Sequence, residues 1–192
     1  MNCLKIVNNI MQVPNVIYNT LVLKLRNVSY EKKLQIHGFL FVRGRGSIKI
    51  GNNVTINSSL KSNPIGGNTR TIIHCNGKLT IGNNVGLSNC AIVCQNQITI
   101  EDWAKIGGNV SIYDTDFHSV NYIERRKPVD HDIKKKSVTI KEDAFIGAHS
   151  IILKGVTIGK RSVIAAGSVV TKSVPDDEMW GGCPAKFIKK II

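Results

Sequence analysis

A strict period of six residues constrains the fold of this chain more than any other feature of its sequence. A large aliphatic residue occupies every sixth position in one unbroken run, at Ile140, Ile146, Ile152, Ile158, Ile164 and Val170. A small or short branched residue stands two positions before each of them, and Gly or Ala often follows. The spacing excludes an α-helix, which has about 3.6 residues per turn, and a coiled coil, which has about 3.5.

Short flat strands wound into a solenoid account for this period. Strand alternation places the aliphatic residue and the small residue two positions earlier on the same inward face. We expect the following Gly to permit a sharp corner, and three corners close a triangular coil of about eighteen residues. The repeats predict about five coils after a partial one that holds Ile36 and Val42. Their anchors are Ile50/Ile56/Ile73, Ile81/Leu87/Val93, Ile100/Ile106/Ile112, Ile140/Ile146/Ile152 and Ile158/Ile164/Val170.

The repeats predict an all-β solenoid flanked by two shorter parts. In chain order, the parts are a helical cap at residues 1–35, the β-helical domain at 36–175 and a C-terminal tail at 176–192. Within the cap, a helix is predicted over residues 13–28, with Pro14 in its first turn. Loop excursions interrupt the coils at residues 61–70 and 113–137. The second is rich in polar groups, and loops on a rigid repeat are a common place for binding residues.

Composition narrows the classes of partner. The chain has 26 Lys+Arg and 13 Asp+Glu, a formal net charge of +13, which suits a nucleic acid, an anionic membrane surface or a phosphorylated ligand. Aromatic residues make up only 6% and are not interleaved with the basic clusters, so we expect no nucleic acid partner. The basic helix of the cap leaves peripheral contact with the inner membrane face open.

The cysteines and the apolar runs indicate a cytoplasmic location. The five cysteines are an odd number without CxxC spacing, which is typical of reduced thiols rather than of a disulfide scaffold or a four-cysteine zinc site. No apolar run approaches the roughly 20 residues needed to span a bilayer. Lys5 interrupts the first apolar stretch and no small-residue cleavage site follows, so we expect no signal peptide.

Four segments accompany the hexads, namely IYDTDFHS at 112–119, AFIGAH at 144–149, VIAAGSVVTK at 163–172 and GGCPAK at 181–186. Together with the hexads they resemble the hexapeptide-repeat acyltransferases, which are left-handed parallel β-helix enzymes. The resemblance covers about residues 36–192 and is closest to the maltose/galactoside O-acetyltransferase branch and its relatives in polysaccharide O-acetylation. It implies a homotrimeric enzyme that transfers an acetyl group from acetyl-CoA to a sugar hydroxyl and requires no metal.

His118 is the candidate general base. It lies in the longer excursion, eighteen residues after Ile100, and two carboxylates, Asp114 and Asp116, stand beside it. An imidazole titrates near pH 6.5, at about the range that proton transfer in neutral solution needs. The sequence leaves open whether Asp114 or Asp116 orients the imidazole or binds sugar hydroxyls instead.

The resemblance also assigns residues to coenzyme A and to the acceptor. Ala148 and Ala166 would offer backbone amides to the pantetheine arm, and the Ala148 amide, next to Gly147, would stabilise the oxyanion. The positions that match contacts to the nucleotide end are Thr171, Lys172 and Lys186. Polar residues of the acceptor pocket, expected one coil before His118 on the same edge, match Ser88 and Asn96.

Other functions of the same fold remain to be weighed. The acceptor could instead be the amine of an amino sugar, or another small molecule such as serine. A carbonic anhydrase on this fold needs three imidazoles around zinc, two of them close in sequence. His118, His131 and His149 are 13 and 18 residues apart, so we expect no such site.

Overall fold

The computed structural model describes residues 3–191, and for residues 3–13 it describes the backbone alone. Residues 1, 2 and 192, which end the predicted cap and tail, lie outside the described residues. The elements, in chain order, are α1 (Cys3–Leu25), β1 (Ser29–Tyr30), β2 (Gln35–Gly38), β3 (Phe41–Arg43), β4 (Ser47–Ile50), β5 (Thr55–Ser58), a 3-10 turn (Pro64–Gly66), β6 (Ile72–Cys75), β7 (Lys78–Ile81), β8 (Gly86–Ser88), β9 (Ala91–Cys94), β10 (Gln97–Ile100), β11 (Lys105–Ile106), β12 (Ser111–Tyr113), α2 (Tyr122–Arg125), β13 (Val138–Ile140), β14 (Phe145–Ile146), β15 (Ile151–Ile152), β16 (Thr157–Ile158), β17 (Val163–Ile164), β18 (Val169–Val170), β19 (Glu178–Gly182) and β20 (Ala185–Lys190).

Three parallel sheets form the sides of a triangular solenoid. We call them sheet 1 (β1, β4, β7, β10, β13, β16), sheet 2 (β2, β5, β8, β11, β14, β17) and sheet 3 (β3, β6, β9, β12, β15, β18). The chain visits them in the same order in every turn, so each coil has a corner 1/2, a corner 2/3 and a corner 3/1. A hairpin of β19 and β20 continues sheet 2 beyond β17.

Each sheet has six such strands within the described residues, so the solenoid has six coils rather than about five. The predicted partial coil is complete, because β1 pairs with β4 and places Tyr30 beside Ile50. The anchor Val93 in the third coil is wrong. Ile92 is the buried residue there and pairs with Ile73 and Ile112.

The hexad residues form the core as predicted. Ile140, Ile146, Ile152, Ile158, Ile164 and Val170 are all fully buried. The small residues two positions earlier are buried too, among them Ala144, Ser150 and Ser162. Inward residues of neighbouring coils pair directly along each sheet, as Ile106 does with Ile146. The core is therefore a narrow stack of aliphatic layers that any one coil shares only with its neighbours.

The corners do not work as the sequence predicts. Gly147 has a negative φ, so a left-handed conformation does not explain its place after Ile146. A Cβ built on Gly147 would lie only 2.5 Å from the backbone nitrogen of Ala166 in the next coil. Close approach between coils therefore requires the glycine. The left-handed residue comes two positions later, at His149 with φ 61°, and Asn84 and Asn109 take this conformation at equivalent positions.

Helix α1 is longer than predicted and covers the open end of the first coil. It begins at Cys3 rather than at residue 13, so Pro14 lies inside the helix. Asn19 fixes it to the coil, since its side-chain amide donates to the Gly38 carbonyl and its oxygen accepts from the Leu40 N–H, at 2.8 and 3.0 Å. Among the described residues, no helix is long and apolar enough to cross a membrane.

Candidate active site

The two loop excursions leave the solenoid at different corners. The loop between β5 and β6 leaves at corner 2/3, and the loop between β12 and β13 leaves at corner 3/1. The second loop closes on itself. The Asp116 N–H donates to the Lys134 carbonyl and the Lys136 N–H to the Asp114 carbonyl, both at 3.0 Å. These bonds hold the intervening residues, with α2, as one projection from the side of the solenoid.

His118 lies exposed near the base of this projection. Its side chain is 75% exposed, and its Nδ1 lies 3.6 Å from Oδ2 of Asp130, whose side chain is only 13% exposed. The same Asp130 oxygen accepts the Ser119 N–H at 2.7 Å, which fixes the carboxylate. The second oxygen of Asp130 is buried and has no hydrogen-bond partner among the described residues. An imidazole with a carboxylate at Nδ1 presents Nε2 to solvent and can accept a proton there.

Sequence reasoning missed Asp130, because it considered only Asp114 and Asp116 as partners of the imidazole. Asp114 is fully buried, and its two oxygens accept the N–H groups of Gln95 and Asn96, each at 2.7 Å. Asp114 therefore caps the turn one coil earlier, and both of its oxygens are already bonded where it would have to contact the imidazole or the acceptor. Asp116 forms an ion pair with Lys154, at 2.6 Å between Oδ1 and Nζ.

The structure separates the two predicted acceptor residues. Asn96 is exposed at corner 3/1, one coil before the projection, and its side-chain amide donates to Ser137 at 3.1 Å. Ser88 ends β8 and thus lies at corner 2/3, where it accepts a hydrogen bond from Asn57 at 3.1 Å. The length of strand β9 lies between these two corners. Asn96 shares the edge of His118, as expected, whereas Ser88 does not.

The small residues assigned to the pantetheine arm share corner 2/3. Gly147 and Ala148 follow β14, and Ala166 follows β17 one coil later. Gly147 uses its own N–H in the sheet, donating to Ile164 at 2.8 Å. The N–H groups of Ala148 and Ala166 have no acceptor among residues 3–191. Two unpaired amides, one coil apart beside small side chains, suit the amide carbonyls of an extended ligand.

The residues assigned to the nucleotide end fall on two different surfaces. Thr171 and Lys172 follow β18 at corner 3/1, and both are exposed. Lys186 is exposed on β20, opposite Gly181 in the terminal hairpin, which extends sheet 2. Within one protomer the candidate base and the free amides therefore lie on different edges of the prism. Across residues 3–191, no group of three or more His, Cys, Asp or Glu side chains is placed to hold a metal ion.

The repeats match a known family model. Residues 137–172 match the model described as bacterial transferase hexapeptide (six repeats). The curated proteins contain no match to this sequence.

Several solved structures are similar to the whole solenoid. A hexapeptide-repeat-containing acetyltransferase from Vibrio cholerae, complexed with acetyl coenzyme A, is 27% identical over 87% of this chain and 74% of that chain, with a TM-score of 0.55. A galactoside acetyltransferase in complex with coenzyme A is 26% identical over 85% of this chain and 65% of that chain, also with a TM-score of 0.55. A mutant of AntD, an N-acyltransferase from Bacillus cereus, in complex with dTDP and coenzyme A, is 25% identical over 87% of this chain and 88% of that chain, with a TM-score of 0.65.

These findings confirm the predicted class of protein. The chain has hexapeptide repeats folded as a left-handed parallel β-helix. It is an acyltransferase whose repeats at residues 137–172 match the bacterial transferase hexapeptide model.

Proposed function

We propose that this enzyme transfers an acetyl group from acetyl-CoA directly to a sugar hydroxyl, with His118 as the general base. The observation that carries the proposal is the exposed imidazole with the fixed Asp130 carboxylate at its Nδ1. The complexes of similar acetyltransferases with acetyl-CoA or coenzyme A support the choice of acyl donor. A glycan under assembly in the cytoplasm is the acceptor that the sequence resemblance favours.

The proton follows one route through His118. Nε2 accepts the proton of the acceptor hydroxyl as its oxygen attacks the acetyl carbonyl carbon. The imidazolium that forms lies beside the negative Asp130, which favours the charged state. When the carbon–sulfur bond breaks, the imidazolium returns the proton to the departing thiolate. The base is neutral again after each turnover, and a positioned base of this kind contributes about 10² to 10⁴ in rate.

Backbone amides of corner 2/3 are proposed to hold the donor. Acetyl-CoA supplies the activated thioester when it is bound. The free N–H of Ala148 would donate to the developing oxyanion, an interaction typically worth about 3 kcal/mol, and that of Ala166 would donate to the pantetheine. Lysines bind phosphate as point charges, which suits Lys172 and Lys186 to the nucleotide end, with Thr171 as a further hydroxyl donor.

A homotrimer would bring the two edges together. The free amides lie at corner 2/3 and His118 at corner 3/1, so neither edge alone holds both halves of the site. In a threefold assembly of prisms, corner 3/1 of one protomer can face corner 2/3 of its neighbour. Asn96 and Asp116 would then contact the acceptor beside His118, and Ser88 could contribute only from the neighbouring protomer.

A second acceptor class has its own support. The N-acyltransferase AntD is similar to this chain with a TM-score of 0.65, and its structure holds dTDP. Transfer to the amine of an amino-sugar nucleotide is therefore the alternative. The two reactions differ in their products, because an O-acetyl ester is cleaved by mild alkali whereas an N-acetyl amide is not.

The variant His118→Ala tests the proposed base. Turnover, followed as free thiol released from acetyl-CoA with a panel of sugar acceptors, should fall by about 10² to 10⁴ while coenzyme A still binds. The matched control is His131→Ala, an exposed histidine of the same projection, and it should keep wild-type turnover. Near-wild-type turnover of His118→Ala would remove this residue from the mechanism.

Asp130→Asn tests the proposed positioning residue by the split between kcat and KM. Asparagine can still accept the Ser119 N–H, so the loop should keep its path. Because the variant lacks the charge beside the imidazolium that forms during the reaction, kcat should fall with little change in the KM for the acceptor. An unchanged kcat would mean that Asp130 only supports the loop through Ser119.

A further inference from the structure

The outer face of helix α1 carries apolar side chains that nothing in the described chain covers. The inner face packs on the first coil through Asn19 and Leu23, each only 4% exposed. On the outer face, Ile17, Leu21 and Leu25 recur every four residues and are 57%, 54% and 81% exposed. We call these three residues the α1 stripe. Val16, although 58% exposed, lies beside Asn19 and Leu23 on the inner side. Three large apolar side chains spaced one helical turn apart form a patch that water solvates poorly.

The charge of the chain is concentrated at the same end. Residues 1–100 hold eleven Lys and Arg residues and a single acidic residue, Glu31. Residues 101–192 hold fifteen Lys and Arg residues and twelve Asp and Glu residues. Ion pairs are found in the second half of the chain, for example between Lys154 and Asp116 and between Arg161 and Asp177. The N-terminal coils thus carry most of the net charge, with Glu31 as the one acidic residue among residues 1–100.

The positive charges border the α1 stripe. Lys24 is exposed on the helix itself, between Leu21 and Leu25. At the end of the helix, Leu25, Arg26 and Arg45 line one open cavity of about 440 Å³ at corner 3/1 of the first coil. Apolar side chains and guanidinium groups therefore share a single surface.

We propose that this end of the solenoid docks on a bilayer that contains anionic phospholipids. The α1 stripe would enter the boundary between headgroups and acyl chains while Lys24, Arg26 and Arg45 contact lipid phosphates. The distribution of charge favours a membrane over a second copy of this chain, because a second copy would bring an equally positive surface against the first. The apolar stripe favours a membrane over a nucleic acid, which would engage the basic groups alone.

Flotation of the full chain with lipid vesicles tests the inference. Vesicles of phosphatidylcholine with about one third phosphatidylglycerol should carry the protein, and pure phosphatidylcholine vesicles should carry far less. The double variant Arg26→Gln/Arg45→Gln should bind at least tenfold more weakly, since each basic residue near an anionic surface contributes roughly fivefold. Leu21→Ser/Leu25→Ser should also lose binding, and both residues are exposed, so the fold should persist.

Matched controls place the effect on this surface. Lys189→Gln/Lys190→Gln removes the same amount of charge at the opposite end of the solenoid. Ile65→Ser removes an apolar side chain that is 65% exposed and lies in the loop between β5 and β6, on the side of the solenoid. Both should float as the wild type does. Equal binding to neutral vesicles, equal loss in the controls, or no flotation would overturn the proposal. So would a smaller sedimenting mass of Leu21→Ser/Leu25→Ser without vesicles, which would make the stripe a contact between copies. Flotation involves no acyl transfer, so its outcome is independent of the proposed reaction.

Discussion

Substituting Gly147 by alanine tests whether close approach between coils sets the corner sequence. The Cβ of Gly147→Ala would lie 2.5 Å from the nitrogen of Ala166 and 2.7 Å from the oxygen of Ile164. Both are backbone atoms, and the Ile164 oxygen already accepts the Gly147 N–H. Neither can rotate away, so the sixth coil must shift. We expect a loss of about 1–3 kcal/mol in the free energy of unfolding, the usual cost of an overpacked interior.

Gly86→Ala is the matched control. Gly86 lies in β8 with a negative φ, and its Cβ would meet first the Cδ of Lys105, at 3.3 Å. That atom belongs to a flexible side chain that can move. Alanine should then be neutral or should stabilise the fold by about 0.4–1 kcal/mol, because it restricts the unfolded chain.

Urea unfolding followed by circular dichroism, at one protein concentration, measures both changes. The midpoint should fall for Gly147→Ala and stay or rise for Gly86→Ala, with similar slopes if the surface exposed on unfolding is the same. A wild-type midpoint for Gly147→Ala would refute the close-approach argument. Equal losses in both variants would point instead to a general need for glycine flexibility.

Two further predictions concern assembly and acid stability. If the site lies between protomers, mixing two variants that are each expected to be inactive alone, His118→Ala and Ala166→Trp, should restore part of the activity. The reason is that some interfaces in a mixed trimer then combine an intact His118 edge with an intact Ala166 edge. No restoration in verified mixed trimers would place the site within one protomer. Hydrogen bonds from Arg161 hold the pKa of Asp177 below its ordinary value, so this contact should stabilise the fold above about pH 4 and lose its effect as the pH falls. The urea midpoints of wild type and Asp177→Asn should accordingly differ at pH 5 and converge near pH 2.5, and a constant difference would show that the charge is not responsible.

The fold could be predicted from the repeat because each side of each coil buries one large aliphatic residue, which produces a period of six in the sequence. The error at Val93 comes from a single short corner. Cys90 and Ile92 are both fully buried, so only Ser88 and Asn89 separate the inward residue Leu87 from the next inward residue, Cys90. A regular corner has three residues at this point, as Gly107, Gly108 and Asn109 do. Counting by six therefore places the inward residue one position late.

The site was harder to predict, because nearness along the chain does not decide which way a side chain points. Asp114 stands two residues after the buried Ile112, so strand alternation itself directs its carboxylate inward. This signal was available in the sequence. The contact between His118 and Asp130 depends instead on how the projection folds back, and no residue spacing encodes that path. That His118 and the amides of Ala148 and Ala166 lie on different edges of the prism became visible only once the three sheets were known.

The corner positions of the two excursions have a consequence for divergence among such enzymes. The chain takes a long detour between β5 and β6, yet Ile56 still pairs with Leu87 and Ile73 with Ile92. A loop that departs and returns at a corner leaves the hydrogen-bonded register on either side intact, so its length and sequence can change without a cost to the core. Acceptor preference can therefore evolve by changes between His118 and Asp130, in residues 119–129, while selection on the aliphatic layers keeps the scaffold constant.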